Sequence, residues 1–241
     1  MAHSSSVPAD AIVRVERCRL MVGDGTWAYA DAHCADIAAH WQRRTAESPA
    51  LFDGRIFLME ALRLEAQTLH AAFLETLFRN LLYWKDQGYP DRSVRDAFGS
   101  ALIRSREGHV LLGRQAAGHI NAGLAYLPGG FIDARDVGPD GAIDIEASIA
   151  REIREETGLE AAALARVPGY HVTFAGPLVS IAAEFLSDLT SDELAAAVRA
   201  HIAGDVEAEL ADVVVVRCAS DLDGLAMPEF ARLLLRALLA A

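Results

Sequence analysis

Arg151-Glu152-Ile153-Arg154-Glu155-Glu156-Thr157-Gly158-Leu159 is the stretch on which the reading of this chain turns. It sets three carboxylates at spacings of three and four residues just before a glycine. The periodicity predicts a helix over Ile145–Thr157. At about 100° per residue, Glu152 and Glu156 then lie one turn apart on one face, with Glu155 beside them. Ile145, Ile149 and Ile153 mark the apolar stripe of the same helix, and the two acids fall along its edge, whereas Arg154 points away. A merely solvated acidic face would lie opposite the isoleucines. Carboxylates gathered at the edge of a core repel one another and lose hydration, which costs several kcal/mol unless a counter-charge is present. A metal ion supplies that charge, and oxygen-only ligands suit a hard ion, Mg²⁺ before Mn²⁺.

Both ends of this helix can be read. Asp144 is the expected N-cap, and Gly158 with Leu159 fits a Schellman stop in which the glycine turns left-handed. The acids therefore fall in the last turn, where the helix macrodipole disfavours negative charge. Arg151 is one turn from Glu155 and is expected to hold it in place.

These residues resemble the signature helix of the Nudix hydrolases, whose pattern is G-x5-E-x7-R-E-U-x-E-E-x-G-U, with U an aliphatic residue. The second half agrees at every specified position from Arg151 to Leu159, and Leu127-Pro128-Gly129-Gly130-Phe131 resembles the glycine loop that opens the motif. The first half departs from it. Ile143 stands where the pattern has Glu, and the segment 133–141, rich in turn formers, reads as an insertion. Asp144 and Glu146 are the candidates to replace the missing acid. The resemblance implies that Glu152 and Glu156 are the principal metal ligands and catalytic acids, Glu155 a further ligand or orienter, and the Gly129 carbonyl a backbone ligand. It also implies a Mg²⁺-dependent attack of water on a nucleoside diphosphate linked to a second group. In that reading Gly129, Gly130 and Phe131 meet the substrate, while Arg151 and Gly158 shape the helix.

Length and charge agree with an enzyme of this kind. The 241 residues are 52% hydrophobic and carry a net charge of −12, enough chain for one large domain or two small ones. Such an acidic balance argues against nucleic acid or an anionic membrane as partner. Cys18, Cys34 and Cys218 are odd in number and lack metal-type spacing, so they read as reduced thiols. Residues 1–11 are polar without an apolar signal core, and no run reaches the length of a membrane span; the expected location is the cytoplasm. Lys85 is the one lysine among abundant arginines, which we read as compositional bias.

Along the chain, residues 11–22 alternate like one strand, 30–45 form an amphipathic helix, 55–75 suit two strands, and 76–87 are helical up to Gly88. Residues 10–92 are expected to form an α+β N-terminal subdomain. A hairpin over 98–113 opens the second part, 93–241, followed by the glycine loop and the acidic helix. Strands near 163–170, 178–185 and 213–218 and helices at 191–203 and 228–239 complete it. The expected fold is α/β: a Nudix α/β/α sandwich with a mixed sheet, preceded by the smaller α+β subdomain.

Further site candidates carry weaker signals. Arg114, at a strand end before the glycine loop, could clamp a phosphate, and a solvated arginine is an equal alternative. Glu184 sits on the polar side of an alternating strand and is a candidate to orient the attacking water, with surface exposure as the competing reading. Glu207 and Glu209 precede the last strand, from which some Nudix enzymes draw an extra acid. His171 is a candidate base, and Tyr126, Phe131 and Tyr170 could stack on a nucleobase, although core packing is the commoner fate of such rings.

Leu51-Phe52-Asp53-Gly54, Tyr83-Trp84-Lys85-Asp86, the glycine loop and Ala183-Glu184-Phe185 together resemble the UDP-sugar diphosphatase branch of the superfamily. That resemblance implies cleavage of UDP-glucose or UDP-galactose to UMP and sugar 1-phosphate. ADP-ribose, NADH or a nucleoside triphosphate are alternative substrates, and a catalytically silent nucleotide-sugar sensor is an alternative of another class. The partner implied is a small nucleoside diphosphate compound, and a homodimer remains open.

Overall fold

The computed structural model describes residues 10–49, 51–206 and 208–240. Glu207 and most of the polar start lie outside them. Eight strands form one mixed sheet: β1 (Asp10–Val15), β5 (Asp96–Arg104), β6 (Val110–Gln115), β7 (Ala125–Tyr126), β8 (Gly129–Phe131), β9 (Ala165–Ala175), β10 (Leu178–Leu186) and β11 (Leu210–Val216). Their order is β1-β9-β10-β5-β6-β11, with β7 paired to β6 and β8 to β5. Only β10 and β5 run parallel in this sheet; its other described pairings are antiparallel. A smaller sheet, ordered β2-β4-β3, is made of β2 (Arg17–Val22), β3 (Arg55–Glu65) and β4 (Thr68–Leu77). The helices are α1 (Ala28–Ala32), α2 (Cys34–Glu47), α3 (Phe78–Asp86), α4 (Ile145–Thr157), α5 (Ser191–Gly204) and α6 (Glu229–Leu239).

Strand alternation decides the layers. Ala97, Ala101 and Ile103 of β5 and Val179, Ile181 and Ala183 of β10 pack with Ile145, Ile149 and Ile153 of α4 and Leu194 and Val198 of α5. Leu102 and Ala182, one residue out of step, pack with Leu234 and Leu235 of α6. Helices thus cover both faces of the mixed sheet, giving the expected α/β/α sandwich, with a smaller sheet built from the N-terminal part of the chain.

The small sheet is buried on both faces near the start of β3. Phe57 and Met59 join the α4-side core, while Ile56 and Leu58 pack against Trp27, Ile37, Leu81 and Trp84 of the N-terminal helical layer. Beyond Met59 one face of β3 turns to solvent and burial alternates. Isolated bridges Met21↔Ala142, Ile56↔Asp133 and Met59↔Arg95 tie the two sheets together.

The single strand expected over residues 11–22 is two. The chain breaks at Glu16, where the Glu16 and Arg17 amides both donate to the Gln67 carbonyl, and the halves enter different sheets. Alternation alone cannot reveal this, because both halves keep period two. As a result β1, counted on sequence with the N-terminal subdomain, is an edge strand of the large sheet, paired to β9 from Asp10↔Ala175 to Val15↔Tyr170.

Candidate functional site

The acidic helix is bounded as its residues predict. Asp144 accepts from the Ala147 amide at 3.0 Å, and Gly158 adopts φ 68°. A Cβ at Gly158 would lie 2.6 Å from the His201 ring, so both backbone conformation and space demand glycine there. The Schellman pattern is incomplete: the Leu159 amide turns instead to the Thr157 hydroxyl at 3.2 Å.

Glu152 and Glu156 are buried, at 8% and 4% exposure, on the edge of the α4 core. Glu156 accepts from the Gly129 amide at 2.9 Å and from the Gln115 side chain at 3.1 Å. Glu152 lies against Gly130, where a Cβ would fall 2.5 Å from its carboxyl carbon. The glycine pair is therefore a matter of close approach: β8 runs directly over the two carboxylates, and any side chain on Gly130 would displace one of them. Burial pushes the Glu152 carboxyl up to about 7, with Arg151 opposing and Glu155 and Glu209 adding to the rise. Glu156 is pushed up to about 8, first by burial and then by the charge of Glu152, while its Gln115 and Gly129 partners pull it down. Two acids held this way disfavour their own ionisation and gain from any cation that enters.

Arg151 does more than the expected hold on Glu155. One of its nitrogens donates to both oxygens of Asp136 at 3.0 Å, and another meets Glu152 in a very short contact; Glu155 is farther, at 3.6 Å. Asp136 comes from the inserted segment and is 4% exposed. It is fixed by a capping box with Asp133, whose amide it accepts at 3.0 Å. Asp136, and neither Asp144 nor Glu146, is thus the acid that pairs by hydrogen bonds with Arg151 from outside its helix. Asp144 serves only as the cap. Glu146 pairs with Arg166 at 2.7 Å and accepts from the Tyr170 hydroxyl at 2.6 Å, away from the glycine strand. The signal available for Asp136 is the G-x5-E spacing counted forward from Gly130, which lands on it.

Glu155 is half exposed, between Arg151 and Arg135, each at 3.6 Å. Glu209 is exposed, yet its charge reaches both Glu152 and Glu156, so it borders the same site. Phe131 is half-buried and packs edge-on to Phe78 of α3 at 5.7 Å, which puts the N-terminal part against the glycine strand.

Four expectations need correction. Arg114 lies on the α6 face of β6 and donates to the Gly123 carbonyl at 3.2 Å; its neighbour Gln115 is the residue that faces the acids. Glu184 shares that α6 face, because Ala183 and Phe185 on either side pack with α4. It accepts from Arg104 at 2.7 Å and pairs with His171 at 3.3 Å, and these hydrogen bonds, that of His171 first, hold its carboxyl down at about 2 despite burial. His171 is in mid-strand, bonded also to Arg14 at 2.9 Å. The structure does not bring Glu184 or His171 to the acidic helix. Tyr170 and Tyr126 are buried with their hydroxyls bonded, so neither offers a face for stacking.

Among the described residues no three acidic, histidine or cysteine side chains already converge as a closed metal shell. The donor set nevertheless suits a hard divalent ion: Glu152 and Glu156 are oxygen donors, buried at a cost that a cation would remove.

Comparison with known proteins places this geometry. Residues 94–213 match the NUDIX domain family. Similar solved structures include the MutT protein of Methanosarcina mazei Go1, 25% identical over 57% of this chain and 88% of that one, with a TM-score of 0.35. The Nudix hydrolase RenU of M. smegmatis is 18% identical over 60% and 83%, TM-score 0.39. DR0079 of Deinococcus radiodurans is 16% identical over 76% and 98%, TM-score 0.46. At TM-scores of this size none of them bears on the substrate. No curated protein matches the chain. The match over residues 94–213, centred on the acidic helix and its glycine strand, identifies that stretch as a NUDIX domain, built as that of a pyrophosphohydrolase.

Proposed function

We propose that the protein hydrolyses the diphosphate linkage of a nucleoside diphosphate sugar, with UDP-glucose or UDP-galactose as the leading substrates, and uses Mg²⁺, with Mn²⁺ as a substitute. The observation that carries the hydrolytic reading is the pair Glu152 and Glu156, buried one turn apart under the Gly129-Gly130 strand. Glu152, Glu156 and the Gly129 carbonyl would hold the ion, with Glu155 at the rim. A divalent ion bound there neutralises the diphosphate and lowers the pKa of a water ligand.

The chain's own residues do the rest. Gln115 donates to one oxygen of Glu156 and the Gly129 amide to the other, so the carboxyl is held in one orientation before an ion or substrate binds. Arg151, anchored on Asp136, holds Glu152 and favours its ionised form. Arg135, reaching both Asp133 and Glu155, is an exposed guanidinium at the acid rim and is suited to meet an incoming phosphate. The sugar nucleotide is supported by the resemblance of Leu51-Phe52-Asp53-Gly54 and Tyr83-Trp84-Lys85-Asp86 to UDP-sugar diphosphatases. The first segment is linked to the glycine strand: the Phe78 amide at the start of α3 donates to the Gly54 carbonyl, and Phe78 packs on Phe131.

The test is release of phosphomonoester from UDP-glucose, UDP-galactose, ADP-ribose, NADH and nucleoside triphosphates, with and without Mg²⁺, with product identification. UMP and sugar 1-phosphate are expected. Binding of a nucleotide sugar without turnover of any diphosphate would overturn the reading in favour of a silent sensor. Glu156→Gln should lower turnover at least about a hundredfold. In metal-free buffer at neutral pH it should raise the thermal midpoint by about 2–4 °C, because the cost of burying a carboxyl whose pKa folding pushes up to about 8 is gone.

A further inference from the structure

Asp96 opens β5 and is 7% exposed, yet among the described residues no hydrogen bond reaches its carboxyl, and its Oδ1 is sealed from solvent. A buried carboxyl without a donor is costly, and native structures rarely keep one without a reason. Burial raises it to about 7, opposed only by the charge of Lys85. Lys85, on α3, is the chain's one lysine, and it is half-buried. The two feel each other's charge without forming an ion pair.

A polar chain leads from this pair toward the acids. Lys85 Nζ donates to Asn121 Oδ1 at 2.8 Å, and Asn121 Nδ2 donates to the Tyr126 hydroxyl at 3.0 Å. Tyr126 is three residues before Gly129 and feels the charge of Glu156 as well as that of Asp96. Lys85 has three donors and one partner here; Asp96 has none.

We propose that Lys85 and Asp96 form the subsite for the sugar beyond the diphosphate, one hydroxyl donating to Asp96 and accepting from Lys85. This rests on the hydrolytic reading above and names the part of the substrate that the acids do not touch. A hydroxyl is donor and acceptor at once and is neutral, so it satisfies a carboxylate and an ammonium together. An anion would be repelled by Asp96 and a cation by Lys85. The amide edge of a base offers the same pair of groups. However, the rings at this place are packed edge-on among themselves, Tyr126 on Phe230 and Tyr89 on Trp84, and present no parallel face for a base.

The experiment compares kcat/KM for UDP-glucose with that for a UDP ester of a simple alcohol, in the parent and in Lys85→Met and Asp96→Asn. The ratio should fall about tenfold in each variant, the loss expected when a buried polar partner is left unpaired. Asp96→Asn should also raise the ligand-free thermal midpoint, whereas a purely structural Asp96 would lower it. Calorimetric binding of UDP-glucose to Glu156→Gln, with and without Lys85→Met added, gives a second readout. Equal losses on both substrates, or an unchanged ratio, overturn the subsite while leaving hydrolysis intact. A parent that turns over no diphosphate but binds UDP-glucose about tenfold more tightly than its Lys85→Met counterpart would sink hydrolysis and keep the subsite. An absence of binding overturns both.

Discussion

Asp136 and Glu184 show how much a single carboxyl depends on what surrounds it. Asp136 is the buried counter-ion of Arg151, and without it the guanidinium is left to Glu152 alone among fully buried acids. Asp136→Asn is expected to cost about 3 kcal/mol in urea unfolding and to lower turnover about tenfold or more, since Glu152 would then be drawn fully into an ion pair. An unchanged unfolding midpoint would remove Asp136 from that role. Glu184, by contrast, belongs to a network with Arg104, His171 and Arg14 on the far face of the sheet. Glu184→Gln should cost about 1–3 kcal/mol at neutral pH and change turnover less than about threefold. Its folded pKa is depressed from 4.5 to about 2, so the stability it contributes is present above 4.5 and lost as pH falls toward 2. Parent and variant should therefore converge in urea midpoint across that window. A collapse of activity in this variant would place Glu184 with the acids after all.

At the level of elements, most of the predicted helices and strands survive with shifted boundaries, because the apolar period marks what a segment buries; the strand over 11–22 and the helix over 30–45 are each two elements, broken at Glu16 and His33. The turn between β3 and β4 is one place where local chemistry and structure disagree. Ala66 and Gln67 have φ of 46° and 58°, the left-handed pair of a two-residue hairpin turn, without glycine or asparagine. Each left-handed residue of this kind costs about 1–2 kcal/mol. Replacing the pair by Asn-Gly should raise stability by about 1 kcal/mol, measured by urea unfolding, without touching activity. A lower midpoint would mean that these two side chains hold the turn by contacts of their own. The acidic helix is the opposite case, since its cap, apolar stripe, acids and glycine stop all agree with its final geometry.

For the molecule as a whole, the N-terminal part is more entwined with the NUDIX domain than its sequence suggests. β1 completes the large sheet beside β9, and Leu20, Phe57, Met59, Leu69, Ala71 and Phe73 enter the α4-side core. At roughly 1.5–3 kcal/mol for each large side chain, their loss is on the order of the whole stability of a domain. A fragment of residues 93–241 is therefore expected to lack a cooperative thermal transition, as followed by circular dichroism. A sharp two-state melt would show instead that the second part folds alone. The sequence by itself determined the helix Ile145–Thr157, the edge position of Glu152 and Glu156, the glycine pair, read as a loop and found as a strand, and the NUDIX character of residues 94–213, because these depend on spacings within one turn or one close approach. Which acid meets Arg151, which face Glu184 takes, that Gln115 rather than Arg114 reaches Glu156, and that Lys85 stands near Asp96 were decided only by the tertiary structure. Each depends on strand register or on the docking of one element against another. No local period encodes which of two faces a strand will bury, or what will be packed on it.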